Sequence, residues 1–199
     1  MSSRSEAYKT DHYTVAAYIE LEKSSKTKFE YIDGFVYAMA GGTYNHGLLC
    51  GNIFRELSLA LPRGGKQNCK PLSSEIKLHI GSKNSYVHPD AMVVCGEVEK
   101  DDEDVNSITN PTIIVEVLSK STADFDRSDK FHLYRQIPTL KEYILIDQFQ
   151  AKVEVFFRPE NADLWRITVY EGMQATMILE SIDIQIKLEN LYFDVEGLS

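Results

Sequence analysis

The chain has 199 residues, 43% of them hydrophobic and 26% charged, which predicts one globular domain with a sizeable core. Its longest apolar runs span only a few residues, so we expect no segment that crosses a membrane and no membrane partner. The first residues lack the apolar stretch of a secretory signal, so the cytoplasm is the expected location.

The formal net charge of −9 is distributed unevenly along the chain. Residues 1–100 carry 12 basic and 11 acidic residues, a net of +1, whereas residues 101–199 carry 9 and 19, a net of −10. Proteins that bind nucleic acid without sequence preference are usually basic, so this balance argues against simple DNA coating. It does not exclude a nuclease, because an acidic metal site contributes negative charge itself.

The three cysteines, Cys50, Cys69 and Cys95, are widely separated and form no CxxC pair. This spacing predicts no disulfide framework, and we expect all three to be buried thiols.

The first part of the chain predicts two helices and a hairpin. An amphipathic helix is expected over residues 14–22, capped by Thr14, and a longer helix over residues 45–61. Between them, Asp33-Gly34 separates two apolar runs, which is the preferred signal for a type I′ hairpin turn. Two short strands should follow near residues 68–72 and 75–80.

The middle of the chain predicts three strands and one helix. A strand bent at Pro89 is expected over residues 86–95, and further strands over 111–118 and 142–147. A charged helix should occupy residues 123–136. Residues 97–104 hold six carboxylates, which indicates a solvated loop without a metal role. Antiparallel strands are expected after these elements, over residues 152–158, 165–170 and 181–193.

This order of elements predicts an α/β fold, with a mixed central sheet flanked by helices. An N-terminal hairpin precedes this core, and extra antiparallel strands follow it. We expect a single domain over residues 1–199, with its core at about 28–158 and a C-terminal β extension at about 159–195.

Two carboxylates interrupt apolar strands. Asp90 lies in the run 88–95, and Glu116 lies in the run 112–118. A carboxylate in a buried strand is costly unless something pairs with it, so the two suggest a shared divalent cation. Mg²⁺ prefers oxygen ligands and supports phosphodiester hydrolysis, and Mn²⁺ is an alternative.

The motifs around these carboxylates resemble those of the Uma-two family of restriction endonucleases, within the PD-(D/E)XK nuclease superfamily. The matching pieces, in order, are Phe29-Glu30-Tyr31-Ile32-Asp33-Gly34, His46, Pro89-Asp90, Glu116-Val117-Leu118-Ser119-x-Ser121-Thr122, Asp126-Arg127-x-x-Lys130-x-x-x-Tyr134 and Glu142-Tyr143-x-x-x-Asp147. The resemblance implies a restriction-endonuclease-like fold and a Mg²⁺-dependent nuclease site.

The resemblance also implies roles for particular residues. Asp90 and Glu116 would hold the metal ion, with the carbonyl of Val117 as a further ligand. Glu30 would be a fourth residue of the catalytic site, beside the two carboxylates and a lysine.

The lysine of that site departs from the superfamily pattern, which places it where Leu118 stands in this chain. Lys130 on the following helix is the expected replacement, and Lys120 is its rival. Asp126 and Lys130 are four residues apart and share a helix face, so a plain ion pair is the alternative for Lys130. Substrate contacts are expected from His46, Lys120 and Tyr134.

The expected function is therefore a Mg²⁺-dependent endonuclease that acts on DNA as a homodimer. Two alternatives stay open from the sequence. One is a non-catalytic binding or assembly module on the same fold, and the other is a hydrolase of another phosphodiester such as RNA.

Overall fold

The computed structural model describes residues 12–39, 41–61, 68–120, 122–160 and 164–198. Most strands belong to one of two larger sheets, with a further two-stranded sheet near the C-terminus. The elements in chain order are α1 (Val15–Ser24), β1 (Phe29–Ile32), β2 (Phe35–Ala38), α2 (Tyr44–Ala60), β3 (Cys69–Ser73), β4 (Lys77–Ile80), a 3₁₀ turn (Gly81–Lys83), β5 (Ser85–Val87), β6 (Ala91–Cys95), β7 (Ser107–Ile108), β8 (Ile113–Leu118), α3 (Ala123–Phe125), a π-helical turn (Asp126–Lys130), α4 (Phe131–Tyr134), β9 (Glu142–Asp147), β10 (Lys152–Phe157), β11 (Arg166–Glu171), β12 (Thr176–Leu179), β13 (Ile184–Lys187) and α5 (Leu188–Leu191).

The central sheet has six strands in the order β11-β10-β9-β8-β6-β3. Strands β8 and β9 are parallel, and the other neighbours are antiparallel, so the predicted mixed sheet is confirmed. β8 is buried along its whole length, as expected for an apolar strand that is covered on both faces.

The side chains of β8 alternate between two cores. Val115 and Val117 face the core that includes Leu49 and Ile53 of α2. Ile114 and Leu118 face the other core, which includes Phe125 and Tyr134 of the helical segment 123–134. Helices thus cover the central sheet on both sides, and Glu116 shares the face of Ile114 and Leu118.

The predicted hairpin forms around Asp33 and Gly34, which have φ values of 47° and 91°. Two positive φ values are the mark of a type I′ turn. The hairpin is part of a second, five-stranded sheet in the order β2-β1-β5-β4-β7, which the sequence did not predict. The predicted long helix runs over Tyr44–Ala60, and Thr43 caps it by accepting the N–H of His46 at 3.2 Å.

The single strand predicted over residues 86–95 is wrong. Its first part is β5 in the five-stranded sheet, and its second part is β6 in the central sheet. Pro89 lacks the N–H that a ladder requires, so the chain leaves one sheet and enters the other there. Asp90 is consequently placed at the junction of the two sheets.

The prediction of a solvated loop over residues 97–104 is also wrong at two positions. Asp104 is buried and lies 2.5 Å from Nζ of Lys77. Asp101 is buried as well, and its carboxylate accepts the Tyr86 hydroxyl at 2.8 Å and lies 2.5 Å from Nδ1 of His79. These contacts hold the acidic segment against the five-stranded sheet.

The C-terminal region differs from the prediction in its details. β11 continues the central sheet by pairing with β10, so it is not part of a separate extension. The strand predicted over residues 181–193 consists of β13 followed by the short helix α5. Its alternating isoleucines are buried at Ile184 and Ile186, opposite β12, a strand that the sequence analysis missed.

Cys69 and Cys95 form a disulfide, so the prediction of three thiols is wrong for these two residues. They lie opposite each other in the register of β3 and β6, which the sequence spacing does not reveal. Cys50 is a free thiol. Among the described helices, none is long and apolar enough to cross a membrane.

We expect the double variant Cys69→Ser/Cys95→Ser to lose roughly 2–4 kcal/mol of unfolding free energy, since the disulfide closes a loop between two strands. Urea unfolding under oxidising conditions measures this loss. Dithiothreitol should destabilise the wild type by a similar amount and leave the double variant unchanged. Equal stability of both proteins without reductant would contradict the disulfide's contribution.

Candidate active site

A cleft of about 750 Å³ opens where β6, β8, the start of α2 and the helical segment 123–134 meet the hairpin. Four carboxylates line it: Glu30, Asp90, Glu116 and Asp126. Glu30, Glu116 and Asp126 are buried, and Asp90 is half-buried. So many acidic groups in a shielded place require compensation by positive charge.

The end of the β6–β8 ladder positions Asp90. The two strands pair from Val93 opposite Ile113 to Ala91 opposite Val115. Val117 follows Glu116 in β8, and its backbone N–H donates a hydrogen bond to Oδ2 of Asp90 at 2.7 Å. The side chain of Asp90 thus replaces a backbone partner, and this places its carboxylate beside the strand that carries Glu116.

Glu116 points to the side of the sheet that the helical segment 123–134 covers, and it is 3% exposed. Its Oε1 accepts hydrogen bonds from Nζ of Lys130 at 2.9 Å and from the hydroxyl of Tyr134 at 2.6 Å. Burial raises the pKa of Glu116 well above its usual value, although the charge of Lys130 opposes this effect.

Lys130 is the cation of this cluster. Its Nζ lies 2.9 Å from Glu116, 3.4 Å from Glu30 and 3.5 Å from Asp126. Burial disfavours the charged ammonium, but the carboxylates of Glu116 and Glu30 outweigh burial and raise the pKa of Lys130 well above its usual value. Lys130 is therefore protonated at neutral pH.

A π-helical turn presents both Asp126 and Lys130 to the cleft. The predicted helix over residues 123–136 exists as α3, this turn and α4 together. Turns of this type widen a helix locally and occur frequently at functional sites. The hydroxyl of Tyr143 in β9 donates a hydrogen bond to the carbonyl of Asp126 at 2.9 Å, and this bond stabilises the π-helical turn.

His46, in the first turn of α2, completes the site on the opposite side. Its Nε2 lies 3.4 Å from Oδ2 of Asp90, and this contact raises the pKa of His46. Burial would raise the pKa of Asp90, but the contact with His46 and the N–H of Val117 lower it instead. Asp90 is consequently ionised at neutral pH, and His46 holds its proton more firmly than an isolated histidine.

Gln148 connects this part of α2 to β8. Its amide donates to the carbonyl of Leu118 at 2.7 Å, and its carbonyl oxygen accepts the Thr43 hydroxyl at 2.5 Å. Because Thr43 is the N-cap of α2, Gln148 fixes the helix start, and with it His46, relative to the strand that bears Glu116.

The structure brings most of the predicted site residues to one cleft: Glu30, His46, Asp90, Glu116, Val117 and Lys130 all line it. Lys120 also lines the cleft but lies at an exposed position, with Nζ 5.5 Å from the ring centre of Phe149. Lys130 is thus the lysine that contacts Glu116. Tyr134, for which a substrate contact is predicted, is 0% exposed, and its hydroxyl donates to Glu116 from behind the cleft wall. Ser121 of the motif lies outside the described residues.

Cys50, Asp126 and Gln148 are among the residues that line or adjoin the site without being predicted to belong to it. Asp126 has a visible signal, its spacing of four residues from Lys130, but this spacing predicts only an ion pair. Its Oδ1 is buried and accepts no hydrogen bond within the described part of the chain. Gln148 follows a strand and carries no sequence signal, since its role depends on a distant helix cap.

The donor set fits a hard divalent cation. Asp90 and Glu116 supply carboxylate oxygens, and Val117, which also lines the cleft, has a backbone carbonyl that could add a further oxygen. Oδ1 of Asp126 is buried and lacks a hydrogen bond in the described chain. Burial raises the pKa of both Glu116 and Asp126, and a divalent cation would favour their ionised forms.

Comparisons with known proteins show what the chain is similar to. A family model described as "Uma2: Putative restriction endonuclease" matches residues 15–189. Two proteins of Synechocystis sp. (strain ATCC 27184 / PCC 6803 / Kazusa) are similar in sequence. "Uncharacterized protein sll1609" is 38% identical over 162 residues, covering 81% of this chain and 89% of the relative. "Uncharacterized protein slr1290" is 31% identical over 175 residues, covering 88% of each.

One solved structure shows the same fold. The crystal structure of "a putative nuclease belonging to DUF820" from Anabaena variabilis ATCC 29413 superposes with a TM-score of 0.70. The superposition covers 90% of this chain and 97% of that chain, at 16% sequence identity. The predicted nuclease-type α/β fold is therefore confirmed.

The raised pKa of Glu116 predicts a pH-dependent cost to stability in the metal-free protein. An acid whose pKa is higher in the folded state binds more protons there, so stability falls as the pH rises above about 4.5, the unfolded value. Glu116→Gln removes this contribution. Relative to the variant, the wild type should thus lose stability between pH 5 and pH 8.

Urea unfolding in the presence of EDTA at several pH values measures this difference between wild type and Glu116→Gln. Both proteins keep Asp90, Asp126 and Lys130, so the difference reports on Glu116 together with its electrostatic coupling to these groups. A difference that does not change with pH would show that burial does not raise the pKa of Glu116.

Proposed function

This chain belongs to the Uma2 family, and on that premise we propose that it is a Mg²⁺-dependent endonuclease that hydrolyses phosphodiester bonds in DNA. The family assignment supports nuclease activity. The observation that carries the proposal is the meeting of Asp90, Glu116 and Lys130, which come from three separate elements, in one cleft. Mn²⁺ is expected to replace Mg²⁺, since both accept an oxygen donor set.

Asp90 and Glu116, with the carbonyl of Val117, are the proposed ligands of the metal ion. When bound, the ion would polarise a phosphoryl oxygen and lower the pKa of a coordinated water. Hydrolysis forms a bond between phosphorus and the water oxygen and breaks the bond to one nucleoside oxygen, which leaves with a proton.

Lys130 is proposed to stabilise the negative charge that develops on the phosphoryl group. Its high pKa makes the ammonium a hydrogen-bond donor rather than a base. Glu116, Glu30 and Asp126 surround Nζ and hold it in place. Glu30 is itself oriented by the N–H of His88, at 3.4 Å from its Oε1.

His46 is proposed to contact the phosphate. Its pKa is raised by Asp90, and it lies in the first turn of the 17-residue helix α2, where an anion is favoured. Lys120, exposed at the cleft mouth, would add a more distant positive charge. These groups give the cleft local attraction for a phosphodiester despite the net charge of −9.

A homodimer is part of the proposal, because cutting both strands of a duplex usually needs two active sites. We also propose a cytoplasmic location.

Loss of either metal carboxylate should abolish Mg²⁺-dependent nicking of plasmid DNA. Asp90→Ala and Glu116→Gln are each expected to reduce the rate by at least about 100-fold, because they remove charge that acts on the reacting group. The control is circular dichroism of each variant, which checks that the variant is folded. Equal nicking by wild type and both variants would exclude this site as the source of activity.

A matched pair of lysine variants identifies the catalytic lysine. Lys130→Met should lower the nicking rate by about 100-fold or more, since no other cation contacts Glu116 among the described residues. Lys120→Met should stay within a few-fold of wild type, because Lys120 lies at the rim. The reverse ranking would assign the role to Lys120.

The non-catalytic alternative rests on the acidic net charge and on the absence of lysine at position 118. Calorimetry with Mg²⁺ or Mn²⁺ separates it from the enzyme. Saturable binding that Glu116→Gln abolishes would count against a mere binding module. RNA and DNA of equal length, tested with one preparation, distinguish the two phosphodiester substrates.

A further inference from the structure

A histidine, a cysteine and an aspartate meet at the edge of the cleft. His46 and Cys50 are four residues apart on α2, and Nδ1 of His46 lies 3.5 Å from Sγ of Cys50. The other ring nitrogen, Nε2, lies 3.4 Å from Oδ2 of Asp90. When each residue offers one ligand atom, the three atoms all lie within 4.8 Å of one another.

We propose that His46, Cys50 and Asp90 form a site for a thiophilic divalent cation such as Zn²⁺. Zn²⁺ binds sulfur at about 2.3 Å and nitrogen or oxygen at about 2.0–2.2 Å, so tetrahedral ligands lie roughly 3.3–3.6 Å apart. Only one ring nitrogen of His46 can bind the ion, so one of the two contacts, at 3.5 Å or at 3.4 Å, already has this separation. The other donor pairs lie within 4.8 Å, and shortening them by roughly 1.2–1.5 Å would bring all three donors around one ion.

The surroundings leave room for the ion. A Cβ at Gly42 would lie 2.8 Å from Nδ1 of His46, so the glycine keeps the space beside this nitrogen open. His46 and Asp90 both line the cleft, so a fourth coordination position would face it. Three protein ligands with one open position is a common zinc arrangement.

The donor types distinguish this site from the proposed magnesium site. Mg²⁺ takes oxygen ligands, whereas sulfur and imidazole favour Zn²⁺ and its chemical relatives. The zinc site would use Cys50 and His46, and the magnesium site would use Glu116 and Val117. Asp90 belongs to both sites, so one ion would exclude the other.

The same three side chains also have the order of a cysteine–histidine–aspartate triad, but their environment disfavours a nucleophilic thiol. Burial and the negative charges of Asp90 and Glu116 raise the pKa of Cys50, whereas a nucleophilic cysteine needs a lowered one. A bound cation reverses this electrostatic balance, because it deprotonates a coordinating thiol outright.

Occupation by Zn²⁺ would remove Asp90 from the magnesium site and His46 from the phosphate. Zn²⁺ should therefore inhibit nicking, a consequence that rests on the proposed nuclease function. The binding site itself does not depend on that function, and its test measures binding without any substrate.

Titration of the tag-free full chain with Co²⁺, a spectroscopic substitute for Zn²⁺, tests the proposal. We expect a near-ultraviolet sulfur-to-cobalt charge-transfer band that saturates at one ion per chain and disappears on addition of Zn²⁺. With the disulfide intact, Cys50 is the one free thiol among the three cysteines, so the band reports on this residue.

Three variants locate the ion. Cys50→Ser should eliminate the band, and His46→Gln should weaken cobalt binding by at least about tenfold. Glu116→Gln should keep the band, which separates this site from the magnesium site even if the chain has no nuclease activity. His79→Gln, at a histidine paired with Asp101 elsewhere, is the matched control and should bind as wild type does.

Alkylation of the wild type, followed by mass spectrometry, provides a measurement that needs no variant. Zn²⁺ should protect Cys50 from iodoacetamide. Cobalt binding without a charge-transfer band, or no binding at all, would overturn the proposal. Rapid alkylation of Cys50 that Zn²⁺ does not slow would favour the nucleophilic triad instead.

Discussion

The ammonium group of Lys130 is the interaction on which the site depends. It lies within 3.5 Å of three carboxylates, and all four groups are largely buried in the wall of the cleft. Without it, Glu30, Glu116 and Asp126 would face one another with no positive charge beside them. Even with it, burial raises the pKa of Glu116 and Asp126. The cluster is therefore costly to the metal-free fold, and such a cost is typical of residues retained for function rather than stability.

The backbone places the remaining groups by interrupting regular structure at three positions. The β6–β8 ladder ends at Asp90, whose side chain takes the N–H of Val117 in place of a strand partner. The helical segment 123–134 widens into a π turn where it carries Lys130. Gln148 ties the cap of α2 to the end of β8. Each interruption directs a polar group into the cleft, while the residues on either side remain in regular, apolar packing.

The sequence was sufficient for the features that depend on local pattern. Asp33-Gly34 specified its turn, and Asp90 and Glu116 were visible because a carboxylate in an apolar strand is an exception to the pattern of burial. Features that depend on distant pairing were hidden. The disulfide requires the register of β3 on β6, and the burial of Asp101 and Asp104 requires partners more than 20 residues away. The six carboxylates of residues 97–104 suggest a solvated loop, because the composition of a segment does not show which of its side chains have buried partners.

Asp90 and Glu116 are proposed to share a divalent cation, with Lys130 beside it. Diffraction from crystals soaked in Mn²⁺, recorded where manganese scatters anomalously, would locate this ion. We expect an anomalous peak at about 2.1–2.3 Å from carboxylate oxygens of both residues, at the distances of hard-cation coordination. An anomalous peak beside other residues, or no peak at saturating Mn²⁺, would contradict a shared cation at Asp90 and Glu116.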